Sequence, residues 1–452
     1  MFERWGEDIP REKKMNYSDA KKTLEANGQG HVLSFWGKLN VKARKALLAQ
    51  IATIDFKELA RCRSMLPAFD VAKTDKKGSK RVAAPTAPKV AELKGKAYAS
   101  AVTAGMRELA AGRVAVLLVA GGQGSRLGFE GPKGAYPIGP MTDSPLFYFH
   151  ARKVLAKTLE YEKSVPFYIM TSEANYDATV ACFKENGWFG LDRKDIFFFK
   201  QGMWPGMTAD GKIILDEPGH VFMSPDGHGG LLAALKNSGA LADMKKRGVK
   251  SVFFFQVDNP LVEIADEAFI GYHVQNRSEY SLKLCAKRDP FEKVGMPMKF
   301  GDSFKMVEYT EMTDEQCKRK GKDGRLYFLY GSPAIHVFDR AFLEREAMKP
   351  MPLHLAHKKI AMVNDKGEVE KPAEPNGYKF EKFIFDILPD AKNVAFLAFD
   401  PKDEFSPVKN AEGSDSPATC KADMQAKWRR QLAERGVLID GDAILEVDPC
   451  SL

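Results

Sequence analysis

Apolar residues recur three and four positions apart over residues 17–25, 41–54 and 56–65, a period that predicts three amphipathic helices. Between residues 73 and 96 the period disappears. There the chain reads KTDKKGSKRVAAPTAPK and onward, a basic stretch rich in Ala and Pro that is expected to be an exposed connector. From about Met106, short apolar runs alternate with amphipathic ones, the pattern of a mainly parallel sheet covered by helices. Strands are predicted at 114–119, 166–171, 196–199 and 251–257, with further β signals at 281–286, 306–309 and 327–338. Helices are predicted at 145–159, 176–186 and 230–236. A polar, loop-like region follows Phe396, then a helix at 422–434. No internal repeat is found.

Composition narrows the class. The 452 residues are 44% apolar and 11% aromatic, enough for a substantial core in two or three domains. With 68 Lys plus Arg against 60 Asp plus Glu, the net charge is +8 and both signs are dense. That mild excess suits an anionic ligand as well as it suits nucleic acid. The basic connector holds no aromatic before Tyr98 on which a base could stack, so no nucleic-acid partner is expected. The longest apolar run, residues 114–120, is strand-sized, and no membrane span is expected. The opening MFERWGEDIPREKKM has no apolar signal segment, which predicts a cytoplasmic protein. Six cysteines lie far apart with no C-x-x-C pair, arguing against a structural zinc and a disulfide framework. His354 and His357 could share a helix face, but they lack a third metal ligand. No G-x-S-x-G occurs, so a hydrolase nucleophile is unsupported.

The densest chemistry lies at LLVAGGQGSRLGFEGPKGAYPIG, residues 117–139. Gly121, Gly122, Gly124 and Gly128 follow directly on an apolar strand, where backbone N–H groups can crowd around a phosphate with no side chain in the way. Arg126 and Lys133 add two cations, and the combination suits a polyphosphate. It is not a Walker A loop, because the Gly-Lys pairs of this chain precede Leu39, Ala97, Ile213 and Asp323, never Ser or Thr. The dinucleotide fingerprint G-x-G-x-x-G also fails, since the third position falls on Leu127 and Gly128 comes one residue late.

GGQGSRLG followed by PKG resembles the signature of the eukaryotic-type UDP-sugar pyrophosphorylases. Further blocks follow in order at family-like spacing: QGMWPGMTADGKIIL, SPDGHGG, FQVDNPLV, VEYTE, KPAEPNGYKFEKFIFDI and DEFSPVKNAEGSDSP. They are most similar to the N-acetylglucosamine branch of that family. The resemblance implies an α/β fold: a Rossmann-like nucleotidyltransferase (GT-A-like) with a mixed sheet flanked by helices. The expected division is a helical N-terminal region with basic linker at 1–100, a catalytic domain at 101–395 and a small C-terminal domain at 396–452. It implies an enzyme that joins UTP to a sugar 1-phosphate with Mg²⁺ and releases pyrophosphate, as a monomer or weak homo-oligomer.

Carried over residue by residue, the resemblance implies that Arg126, Lys133 and Lys409 hold phosphates, with Gly121, Gly122, Gln123 and Gly124 forming the loop. Asp258, after the strand SVFFFQV, would face the nucleotide and the magnesium; alone, it could equally cap a helix after Pro260. Gln201 and the backbone of Gly227 would read the uracil. Gly295, Glu308 and Tyr309 would contact the sugar, and Phe383 and Phe385 would wall the acetyl group, although their spacing also fits plain packing. Two positions depart from the N-acetylglucosamine pattern: His228 and Ser332 stand where that branch has Asn. The expected reaction is UTP plus N-acetylglucosamine 1-phosphate giving UDP-N-acetylglucosamine, the alternative being a UDP-glucose or broad UDP-sugar enzyme. A non-catalytic nucleotide-sugar sensor is disfavoured, since a sensor has no need to stabilise a leaving pyrophosphate.

Overall fold

A computed structural model describes residues 15–66 and 85–451. Residues 73–84 of the basic connector lie outside the described residues. The chain divides into two compact units, each built from separated stretches of sequence. The larger takes residues 83–201, 231–350 and 385–452, and the smaller residues 1–82, 202–230 and 351–384.

The larger unit is organised by a seven-stranded sheet. Its strands are β1 (Val114–Val119), β2 (Phe167–Thr171), β3 (Ile196–Lys200), β4 (Ser251–Gln256), β5 (Tyr280–Ala286), β6 (Tyr330–Asp339) and β7 (Val394–Phe399). The order is β7-β5-β6-β4-β1-β2-β3. All adjacent pairs are parallel except those made by β6, which runs antiparallel to both β4 and β5. The sheet is therefore mixed and mostly parallel. Continuous apolar runs such as VAVLLV and SVFFFQ fill its centre because helices cover both faces there; every residue of β1 but the last is buried.

Chain order fixes where a ligand can bind. From β1 the chain steps outward to β2 and β3, then returns to place β4 on the other side of β1, with Val119 in register with Gln256. The carboxyl ends of β1 and β4 thus flank the point where strand order reverses, the usual binding crevice of open α/β sheets.

Two elements were not legible in the periodicity. The helix Gly95–Ala110 crosses position 100, and β7 crosses position 395, the positions at which the sequence reading divides the chain. The helix packs on Glu267–Gln275 so closely that a Cβ on Gly271 would lie 1.7 Å from the carbonyl oxygen of Ala101. Its contact face is made of small residues, which carry little hydrophobic signal.

In the smaller unit, the helices Tyr17–Ala26, Val41–Thr53 and Phe56–Ser64 bury Leu24, Leu47, Ile51 and Leu59 against Met207, Ile213, Val221, Leu353 and Phe380. The Gln29 carboxamide seals this packing, donating to Gly211 O at 2.8 Å and accepting from Ile213 N at 2.9 Å. All six cysteines are free thiols. No described helix is long and apolar enough to cross a membrane.

Candidate active site

The loop after β1 folds back on itself. Gly124 N donates to Gly131 O at 2.9 Å and Lys133 N to Gly122 O at 3.0 Å, which draws Lys133 beside the glycines. Buried Asn175 supports the loop from below, its Nδ2 donating to Ala120 O at 2.9 Å and Gly122 O at 3.2 Å. Gly121 has to lack a side chain, because a Cβ there would stand 2.9 Å from Oε1 of Gln201. The amides of Gly121, Gly122, Gln123, Ser125 and Arg126 donate to no acceptor among the described residues. A row of unfilled N–H donors in a tight turn is an anion-binding concavity.

Charged groups gather at the same end of the sheet. Lys133 lies near Asp258, Lys409 and Arg126, and its Nζ donates to Val408 O at 3.2 Å. Burial lowers its pKa below the usual lysine value of 10.5; Asp258 opposes this, and the two neighbouring cations reinforce it. The side chains of Asp258 and Arg126 enter no hydrogen bond or ion pair with the described residues. No helix follows Pro260 directly, so Asp258 is not a helix cap; the next helix starts at Glu267 and is capped by Asp266. Lys409 is exposed, with its backbone N–H donating to Asp415 O at 2.7 Å and its ammonium 5.8 Å from the Phe405 ring centre.

Also within the larger unit, Ser332 N donates to Gly295 O at 2.9 Å, and a Cβ on Gly295 would approach Glu308 Oε1 to 3.1 Å. Gly295, Glu308 and Ser332 are therefore neighbours. Ser332 lies inside β6. The side chain of Glu308 caps the turn Tyr309–Glu311, and Tyr309 is 38% exposed.

In the smaller unit, residues 226–230 are stitched to residues 382–384. Lys382 N donates to Asp226 O, Gly229 N to Lys382 O, and Ile384 N to His228 Nδ1 at 3.1 Å. Because Nδ1 accepts a backbone proton, the imidazole proton sits on Nε2. The Phe383 ring contacts two histidines, its centre 5.3 Å from that of His228 and 4.5 Å from that of His354. His354 and His357 are on a β-strand, His354–Lys358, and not on a helix; His357 stacks on Tyr378 at 4.4 Å. Gly227 has φ +80°. The adjacent Asp226 was missed by the sequence reading: burial pushes its carboxyl up to about 7, against the pull of Lys382, and its Oδ1 has no hydrogen-bond partner among the described residues. Phe385 is half-buried and begins the next stretch of the larger unit.

Comparison with known proteins shows what the chain as a whole resembles. A family model described as UTP--glucose-1-phosphate uridylyltransferase matches residues 70–415. UDP-N-acetylhexosamine pyrophosphorylase-like protein 1 of Homo sapiens is 37% identical, covering 89% of this chain and 83% of its own length. UDP-N-acetylglucosamine pyrophosphorylase of Saccharomyces cerevisiae is 33% identical, over 95% of this chain and 94% of its own. Among solved structures, the uridine diphosphate N-acetylglucosamine pyrophosphorylase of Trypanosoma brucei superposes with a TM-score of 0.79 at 27% identity, covering 91% of this chain and 85% of that one. The unfilled loop amides, the clustered cations and this similarity along most of the chain together place the protein in the UTP--glucose-1-phosphate uridylyltransferase family.

Proposed function

We propose that the chain transfers a uridylyl group from UTP to N-acetylglucosamine 1-phosphate, giving UDP-N-acetylglucosamine and pyrophosphate. The observation that carries this is the gathering of Arg126, Lys133 and Lys409 with Asp258 beside a row of unfilled amides. The choice of sugar follows the relatives, which are named for N-acetylated sugars rather than for glucose.

In the reaction an oxygen of the sugar phosphate attacks the α-phosphorus of UTP. The new P–O bond forms as the bond to the bridging oxygen of the β-phosphate breaks, and its electron pair leaves with pyrophosphate. Little covalent help is needed from the protein, only alignment and neutralisation of crowded negative charge. The loop amides with Arg126 and Lys133 take the charge that develops on the leaving pyrophosphate, and Lys409 meets the phosphates from the other arm. Within the larger unit, Gln201 reads the uracil, and Gly295, Glu308, Tyr309 and Ser332 contact the sugar, with Phe385 beside its acetyl group. At His228 an imidazole Nε2–H stands where an Asn would present an amide donor.

The donor set fits magnesium in one particular way. No group of three His, Cys, Asp or Glu suited to a metal exists among the described residues. Mg²⁺, however, keeps several waters and needs only one or two carboxylates plus substrate phosphates. Asp258, whose carboxylate is not committed elsewhere, would hold it. When bound, the ion would neutralise phosphate charge.

Initial rates with the N-acetylglucosamine, N-acetylgalactosamine, glucose and galactose 1-phosphates test the assignment, the first being expected to react fastest. A preference for glucose 1-phosphate would overturn the acetylated-sugar reading.

A pH dependence follows from Lys133. It binds phosphate only when protonated, so kcat/KM for UTP should fall on the alkaline side, starting below the range of an ordinary lysine. Bound triphosphate favours the ammonium, so the fall in kcat should come at higher pH than the fall in kcat/KM. Lys133→Arg should shift the limb in kcat/KM upward, because a guanidinium stays protonated. A limb unmoved in this variant would assign the titration to another group.

A further inference from the structure

The two arms that carry Asp258 and Lys409 come from stretches about 150 residues apart, and one buried side chain joins them. Asn259 is 4% exposed. Its Nδ2 donates to Glu404 O at 2.7 Å, and its Oδ1 accepts from Ser406 N at 3.1 Å and Leu261 N at 3.3 Å. Both ends of one carboxamide are thereby spent on the segment leading to Lys409. Beside it, Val408 N donates to Asp258 O at 2.8 Å, and Lys133 Nζ reaches Val408 O.

Both arms are also tied to the elements around them, in part to the same helix, Pro417–Glu434. Beyond Asn259, Lys153 Nζ donates to Pro260 O at 2.6 Å and Val262 O at 2.7 Å, while Lys427 Nζ donates to Leu261 O at 3.0 Å. On the other arm, Ser406 Oγ donates to Asp423 at 2.7 Å, and Glu404 pairs with buried Lys283. Next to the two functional residues, the arms meet directly through the Asn259 carboxamide and the Val408 N–Asp258 O bond, and of these two ties only the carboxamide can be removed by substitution. An apolar side chain of equal size would leave two backbone N–H groups and a carbonyl buried without partners.

We infer that Asn259 is a positioning residue for uridylyl transfer: it touches no phosphate and sets the register between the Asp258 and Lys409 arms. The inference rests on the phosphate roles proposed above for those two residues. Asn259→Ala should lower kcat by about 10- to 100-fold, the scale expected when reacting groups are misplaced by an ångström. KM for the sugar 1-phosphate should stay near the wild-type value, because Gly295, Glu308 and Ser332 are held by other elements.

The deciding measurement is a double-mutant cycle with Lys409→Ala, read both as kcat and as UTP affinity by calorimetry in EDTA. If Asn259 acts by placing Lys409, its replacement should change little once the ammonium is gone. Losses that multiply across the two variants, or an Asn259→Ala enzyme with wild-type kcat, would overturn the inference. Should the alanine variant fail to fold, Asn259→Ser, whose hydroxyl is too short to span both arms, takes its place in the same cycle. Wild-type enzyme with no activity on UTP and any sugar 1-phosphate would refute the function itself, a result separable from additivity in an active enzyme.

Discussion

Arg126→Ala is expected to lower kcat for UDP-sugar formation by about 10²- to 10³-fold while leaving the thermal midpoint unchanged. The loop folds through its backbone bonds and through Asn175, not through Arg126, whose guanidinium enters no hydrogen bond or ion pair with the described residues. Its removal therefore costs the fold little. Charge on the β- and γ-phosphates grows as the bond to the α-phosphorus breaks, so a cation placed there is worth more in the transition state than in the bound substrate. Loss of one such preorganised partner typically costs about 3 kcal/mol of activation free energy. The effect should appear in kcat and kcat/KM alike, which steady-state kinetics with saturating UTP can separate from a simple binding defect. A variant with wild-type turnover would remove Arg126 from the transition state and leave it a surface arginine.

The second large effect is on stability. Lys283, on β5, is 1% exposed, and its ammonium lies 2.6 Å from Asp266 Oδ2 and 2.5 Å from Glu404 Oε1. Burial alone would lower the lysine pKa, but the two carboxylates outweigh it and hold the ammonium charged. Lys283→Met should destabilise the protein by about 3–5 kcal/mol, because it removes the buried cation that Glu404 and the half-buried Asp266 share. The sign can be checked against pH. Burial raises the pKa of Glu404 and Lys283 opposes that rise, so without Lys283 the variant should recover stability as pH falls and the Glu404 carboxyl becomes neutral. Adding Asp266→Asn and Glu404→Gln to Lys283→Met should restore much of the loss at neutral pH, since neither side chain then carries a charge that needs the Lys283 ammonium. Chemical denaturation midpoints at pH 5 and pH 8 would show this. A Lys283→Met penalty that is small, or that does not shrink toward acid, would mean the cluster is hydrated enough to tolerate the loss.

Lys283 also illustrates what one-dimensional reading misses. In SLKLCA it looks like the outward-facing polar position of a half-buried strand, yet β5 lies between β7 and β6 and is covered. Its two partners are 17 residues ahead of it and 121 residues beyond it, and nothing local in their surroundings marks them. Asn259 is similar: in VDNP it resembles a turn residue, and only the return of the chain at 404–408 gives its carboxamide two arms to join. The spacing of His354 and His357 would let them share a helix face; they lie instead on a strand that pairs with residues 377–381, a partner supplied by the tertiary fold.

What the amino-acid sequence determined by itself was local in kind. The apolar runs of β1, β2 and β4 name buried parallel strands, because a strand covered on both faces has no polar side to show. The phosphate loop was likewise legible, since glycines and cations within a dozen residues of a strand end make a site almost unaided. The reaction class came with the ordered blocks that resemble a known family. Tertiary structure alone decided the rest. It showed that β4 returns beside β1, so that Asp258 and the loop share the switch point, and that Lys133, Asp258 and Lys409 meet. It also showed that the Asn259 carboxamide bonds the segment leading to Lys409, and that the Phe383 ring contacts two histidine rings. Those facts depend on contacts between residues far apart in the chain, and the energy of such contacts leaves no periodic trace in the sequence.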